Sequence, residues 1–188
     1  MLSDEKGQSL IELVVVVAVI VIVVGALTFA TIASLRNASF SKNQAQATKL
    51  AQEGIERVRT GRDRNKVITH GGGLGSVISW DGNNLGQGKF WDYLINGNCG
   101  NLQLAPPVYC FFNVDNEGKL AYLTAYGPIS SQPTLPPGVE SIPPFSRAVV
   151  ISDDTTTSGV QKTVTVIVTW KDVSGPHESR LTTILRKI

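Results

Sequence analysis

The stretch that decides the fold is Lys6-Gly7-Gln8-Ser9-Leu10-Ile11-Glu12-Leu13-Val14, which runs straight into an apolar segment ending at Leu35. From Leu13 to Leu35 no residue is charged, and Val, Ile, Leu and Ala fill nearly every position. As a helix this segment spans roughly 34 Å, enough to cross a hydrocarbon core of about 30 Å. An ordinary secretory signal has a shorter apolar stretch of about 7–15 residues followed by a cleavage site. Thr31 and Ala33 form only a weak site of that kind. Glu12 stands at the edge of the run, where a carboxylate costs up to about 3.5 kcal/mol at mid-membrane depth and less near the interface. Anchoring does not require it. Either Glu12 snorkels to the headgroups, or it awaits a cationic partner from another chain.

Outward from this segment the sequence changes character. The 188 residues carry a net charge of +2, which makes no strong electrostatic case for nucleic acid or an acidic membrane surface. The helical pattern continues with Ala47, Ala51, Ile55 and Val58 on one stripe and Lys49, Gln52, Glu53, Glu56 and Arg57 off it. This predicts one helix from about Ser9 to Thr60, ended by Gly61 and Gly71-Gly72-Gly73. Arg57, Arg59, Arg62, Arg64 and Lys66 gather near its end. They suit a helix C-terminus and a solvated surface. A DNA-contacting patch is the sharper alternative, and no aromatic residue interleaves with them to stack bases.

The C-terminal part predicts strands over Ser146–Ser152, Lys162–Lys171 and Arg180–Lys187, with a turn at Ser174-Gly175-Pro176. In Lys162–Lys171, Val164, Val166, Val168 and Trp170 share the face expected to cover the helix, with Thr163, Thr165 and Thr169 opposite. A second hairpin is expected from Val108–Val114 and Leu120–Thr124, turning at Asn116-Glu117-Gly118. Between these two groups, Pro128 to Pro144 holds six prolines and reads as a surface loop. The fold class is therefore α+β, a long N-terminal helix packed on a C-terminal antiparallel sheet.

Cys99 and Cys110 are the two cysteines. A close pair in an exported domain reads as a disulfide; two buried thiols in a cytoplasmic domain are the alternative. Neither belongs to a metal or redox motif. His70-Gly71-Gly72-Gly73-Leu74-Gly75 lacks the Lys-Ser/Thr of a phosphate loop. Asp153-Asp154 lacks the spaced oxygens of a calcium loop. His70 and His177 sit in Gly- or Pro-rich segments without a nucleophile, so no catalysis and no cofactor are expected. Trp80, Trp91 and Trp170 read as core anchors.

The nonapeptide from Lys6 to Val14 resembles the signal of type IV prepilins and pseudopilins: a short charged leader ending in Gly, a Glu five residues on, and an uncharged helix directly after. Gln8 stands where the family usually has Phe or Met. No proline precedes Pro106, which leaves Gly25 as the weak point of the spanning helix. Leu50 to Arg59, followed by Arg62-Asp63, is more loosely similar to the same region of minor pilin-like proteins.

The resemblance implies cleavage after Gly7 by a prepilin peptidase, N-methylation of Gln8, and Glu12 as the residue that guides assembly. It implies a leader over 1–7, a spanning and filament-core helix over 8–35, its amphipathic continuation over 36–64 and a β-rich domain over 65–188. Expected partners are other pilin subunits, the peptidase, an inner-membrane assembly platform and membrane lipid. The leader would lie in the cytoplasm and the domain outside it, first in a single-pass protein and then in a surface or periplasm-spanning filament. Arg36, Lys42 and Lys49 follow the helix, so the positive-inside rule points weakly the other way and the orientation comes from the family. The rivals are a pseudopilin of type II secretion or DNA uptake, a signal-anchored extracellular binding domain and an anchored hydrolase.

Overall fold

The computed structural model describes residues 5–70, 87–96, 108–126, 135–153 and 160–187. The chain divides into two compact units, Met1–Asn43 and Gln44–Ile188. One helix, α1, runs over Glu5–Asp63. It exceeds the expected Ser9–Thr60 at both ends.

Its C-terminus corrects one expectation. Gly61 does not end the helix. Asn65 takes the left-handed conformation at φ 46°, and the Asn65 and Lys66 amides donate to the Arg62 and Gly61 carbonyls at 3.0 and 2.8 Å. Those two bonds close the helix in a Schellman motif, with Asn where Gly is usual. Gly61 serves another purpose, because a Cβ there would lie 2.1 Å from the Gly118 carbonyl oxygen. It lets the helix touch the turn between two strands. Residues 71–73, the other expected stop, lie outside the described residues.

In the second unit the strands are β1 (Val67–His70), β2 (Gln87–Lys89), β3 (Val108–Val114), β4 (Leu120–Tyr126), β5 (Glu140–Ile142), β6 (Phe145–Asp153), β7 (Gln161–Asp172) and β8 (Gly175–Arg186), with a short α2 over Phe90–Asn96. They form one sheet in the order β2-β1-β4-β3-β6-β7-β8, with β5 beside β6. In the sequence the β3–β4 hairpin and the C-terminal meander form two groups, on either side of the proline-rich segment. Pairing of β3 with β6, Phe111 opposite Val150, joins them. All described pairings are antiparallel except β1 with β4.

One face of the sheet holds the core. Ala47, Ala51, Ile55 and Val58, the expected stripe, are buried with Val164, Val166, Val168 and Trp170, the expected face of β7. Phe90, Trp91, Tyr93 and Leu94 of α2 complete this cluster. The other face is apolar at its centre too, where Phe111, Ala148, Val150 and Ile167 are buried. That second apolar strip needs a cover, which is why the proline-rich segment is not simply a surface loop. Leu135 and Val139 pack on the strip, β5 pairs with β6, and the Asn113 side chain donates to the Gly138 carbonyl and accepts from the Glu140 amide at 2.7 and 2.8 Å. Residues 127–134 lie outside the described residues. The last turn is also tighter than expected. Asp172 opposes Gly175, so the turn is Val173-Ser174 and β8 begins at Gly175 rather than Arg180.

Candidate processing and assembly site

Gly7, Gln8 and Glu12 all lie in the first turns of α1. From Leu10 to Val24 no Gly or Pro interrupts the run, and in a hydrocarbon core a spanning segment must satisfy its backbone internally, which a helix does. Glu12 is exposed, between Ile11 and Leu13, which are exposed as well. The apolar side chains from Leu10 to Leu35 stand largely open, with Phe29 at 77% exposure. This helix is long and apolar enough, by length and composition, to cross a membrane.

Two threonine hydroxyls in the segment are satisfied within the helix. The Thr28 and Thr31 hydroxyls each donate to the carbonyl four residues earlier, Val24 and Leu27, at 2.8 Å. Such back-bonding removes the cost of hydroxyls in hydrocarbon. Gly25 has no neighbour within 4 Å of where a Cβ would be, so no close contact in this chain requires it.

The second unit grips its part of the helix differently. Arg147 on β6 is fully buried on the helix-facing side. Its Nη1 donates to the Leu50 carbonyl at 3.2 Å. Its Nε and Nη2 lie 2.8 and 2.7 Å from Glu140 Oε2. Glu53 stands 4.0 Å away. Arg57 pairs with Glu53 and lies 3.7 Å from Glu140. Two guanidiniums and two carboxylates thus balance across the helix, β5 and β6. A buried charge left without its partner is strongly destabilising, so this network ties helix register to sheet register.

Sequence reading missed Arg147. Its one signal is parity, since Arg147 falls in phase with the inward Val149 and Ile151 and must therefore find a carboxylate. Which carboxylate is not visible locally.

The other expected sites separate. In the basic cluster, Arg57 is committed to the network, Arg59 pairs with Glu56 at 2.6 Å, Arg62 with Asp63 at 2.7 Å and Lys66 with Glu117 at 3.6 Å. These partners offset four of the five cations, and Arg64 is exposed. His177 lies 2.8 Å from Asp172 across the last turn, and that hydrogen bond holds the Asp172 carboxyl below its ordinary value. The pair closes the β7–β8 hairpin, with His177 stacked obliquely near Trp170. His70 ends β1. Trp91 and Trp170 are buried core residues as expected; Trp80 lies outside the described residues. So do Cys99 and Asp154, while Cys110 is buried in β3 and Asp153 ends β6. No group of His, Cys, Asp and Glu suited to a metal occurs among the described residues.

Residues 2–28 match the family model of the prokaryotic N-terminal methylation motif. The chain carries a type IV prepilin-like signal. Neither a curated protein nor a solved structure matches the chain. The prepilin-like signal and the apolar helix together suit a membrane-anchored protein. Such a signal implies processing by prepilin peptidase and assembly with other pilins. The match ends at residue 28, so the domain downstream is described by its own geometry.

Proposed function

We propose that the chain is a structural subunit, a minor one, of a type IV pilus or related filament. The leader is cut after Gly7, Gln8 is N-methylated, and the new amine becomes the partner of Glu12, which pairs with no cation among the described residues. Protonated, that amine is a cation, and methylation leaves its charge in place. Apolar helix packing supplies the attraction between subunits. A Glu12 carboxylate facing the Gln8 amine of a neighbour then selects the axial register, because either charge left alone in an apolar core is costly. The β-rich domain lies outside the cytoplasm, where a Cys99–Cys110 disulfide pins the segment ahead of β3. The assembly platform and membrane lipid are the other partners of this reading. It covers a surface pilus and the pseudopilus of secretion or DNA-uptake machinery alike. A signal-anchored binding domain or hydrolase would need neither Gly7 cleavage nor Glu12.

The observation that carries the proposal is the joint presence of the signal and an exposed apolar helix with one carboxylate at its edge. Mass analysis of the native protein is expected to find a chain starting at N-methylated Gln8 and gaining two hydrogens on reduction. A retained Met1 or a start after Ala33 contradicts the processing step, and two free thiols contradict the disulfide. Glu12→Val should insert and be processed normally, yet appear in sheared filaments far below the parent and Glu12→Asp, normalised to processed protein. Equal incorporation of the Val variant sinks the register role of Glu12.

A further inference from the structure

Strand β8 terminates the sheet order, and among the described residues nothing pairs with its outer edge. It is long and regular. Its partners in β7 run without a register shift from Gln161 opposite Arg186 to Asp172 opposite Gly175, so no bulge turns the edge away. Glu178, Arg180, Thr182, Ile184 and Arg186 alternate on the exposed face, and Ile184 is 57% exposed. Charges on an edge strand usually discourage strand addition. Here their placement is self-complementary.

We propose that β8 docks on β8 of a second copy, antiparallel, with Thr182 of the two copies on the two-fold axis. Opposed residues in such a pair share a face, so the axis must pass beside a residue. At Thr182, Glu178 of each copy meets Arg186 of the other, and Arg180 meets Ile184, whose apolar surface the arginine stem covers. Within its own chain Glu178 already holds Arg180 in a bidentate pair, Nε on Oε1 at 2.8 Å and Nη2 on Oε2 at 3.0 Å, and each carboxylate oxygen keeps a further lone pair for the new arginine. Other registers are worse. An axis at Leu181 makes no ion pair. One at Arg180 sets Arg180 against itself, and one at Thr183 sets Arg180 against Arg186. One at Ser179 pairs Glu178 with Arg180 but draws Pro176, which has no N–H, into the ladder.

The geometry also selects which copies meet. Thr48 contacts Ser179 and Arg59 contacts Thr183, so α1 and β8 run in the same direction within the second unit. A two-fold axis normal to the sheet reverses both. Subunits of one filament share one polarity because their contacts are head-to-tail. The β8 pair therefore joins subunits of two filaments lying side by side in opposite senses, a step that rests on the filament reading above.

The test begins with processed full-length protein in detergent micelles, where no filament is needed. Spin labels on Thr182→Cys should lie within about 20 Å of each other, and labels on Val173→Cys about 60 Å apart, given about 3.3 Å per strand residue. Unsubstituted protein carried through the same labelling supplies the background from Cys99 and Cys110. Arg186→Glu and Glu178→Arg should each weaken pairing about tenfold or more, since each sets like charges opposite one another twice. An equal mixture of the two variants should pair again, because every contact then joins opposite charges. A monomeric parent, distant Thr182 labels, or a mixture that fails to pair overturns the proposal. Filaments formed by a parent that does not pair in micelles leave the filament reading standing and remove this one; pairing without filaments does the reverse.

Discussion

Compare the two parts of α1, which share one backbone and differ in every other respect. From Leu10 to Leu35 the side chains are large and exposed, Val, Ile and Leu above all. From Ala47 to Gly61 the inward positions are small, Ala47, Ala51, Gly54 and Gly61, with Ile55 and Val58 among them, and they are covered. Small residues bring a helix close to a sheet, as at Gly54, where a Cβ would lie 2.9 Å from Val166. Large exposed ones offer surface to lipid and to other helices. The first part is built for partners outside the chain, the second for a partner inside it. Each also carries a telling charge. Glu12 stands exposed in the first, whereas Arg147 and its carboxylates close the second.

Three substitutions test that contrast, from the largest effect to the smallest. Arg147→Ala should destabilise the second unit by about 3–5 kcal/mol, because it breaks a buried charge network and leaves Glu140 and the Leu50 carbonyl without their donor. Denaturant midpoints followed by the fluorescence of buried Trp91 and Trp170 would measure it, and a loss below about 1 kcal/mol would show that the network does not hold the helix. Gly61→Ala should cost about 1–3 kcal/mol on the same assay, since the new methyl meets backbone at Gly118 that has little room to yield. A neutral result there would deny the close approach. Gly25→Ala should leave those midpoints unchanged and raise helicity in micelles, by up to about 1 kcal/mol of propensity. The same chemical change thus has opposite signs at two positions of one helix; matching signs would erase the distinction between its parts.

Much of this molecule is legible from neighbouring residues. The helix, the signal around Gly7 and Glu12, the stripe of Ala47 to Val58 and the alternation of β7 all rest on side-chain periodicity over a few turns or a few strand pairs. Their approximate bounds were visible, and the structure moved the ends by a few residues. Cap identity was harder: Gly61 looked like the terminator because Gly so often is, while Asn65 does that work.

What the tertiary structure alone decided lies further apart along the chain. Joining two hairpins into one sheet, placing β1 parallel to β4, and folding Leu135 and Val139 over a second apolar strip depend on which distant edges and faces meet. The same holds for Arg147, whose carboxylate partners come from α1 and β5 and whose parity announced only that a partner must exist. Local pattern states what each surface requires, because burial and periodicity act residue by residue. It does not state which surface answers, because pairing partners are chosen by chain closure and by the complementarity of faces that come together only in the folded chain.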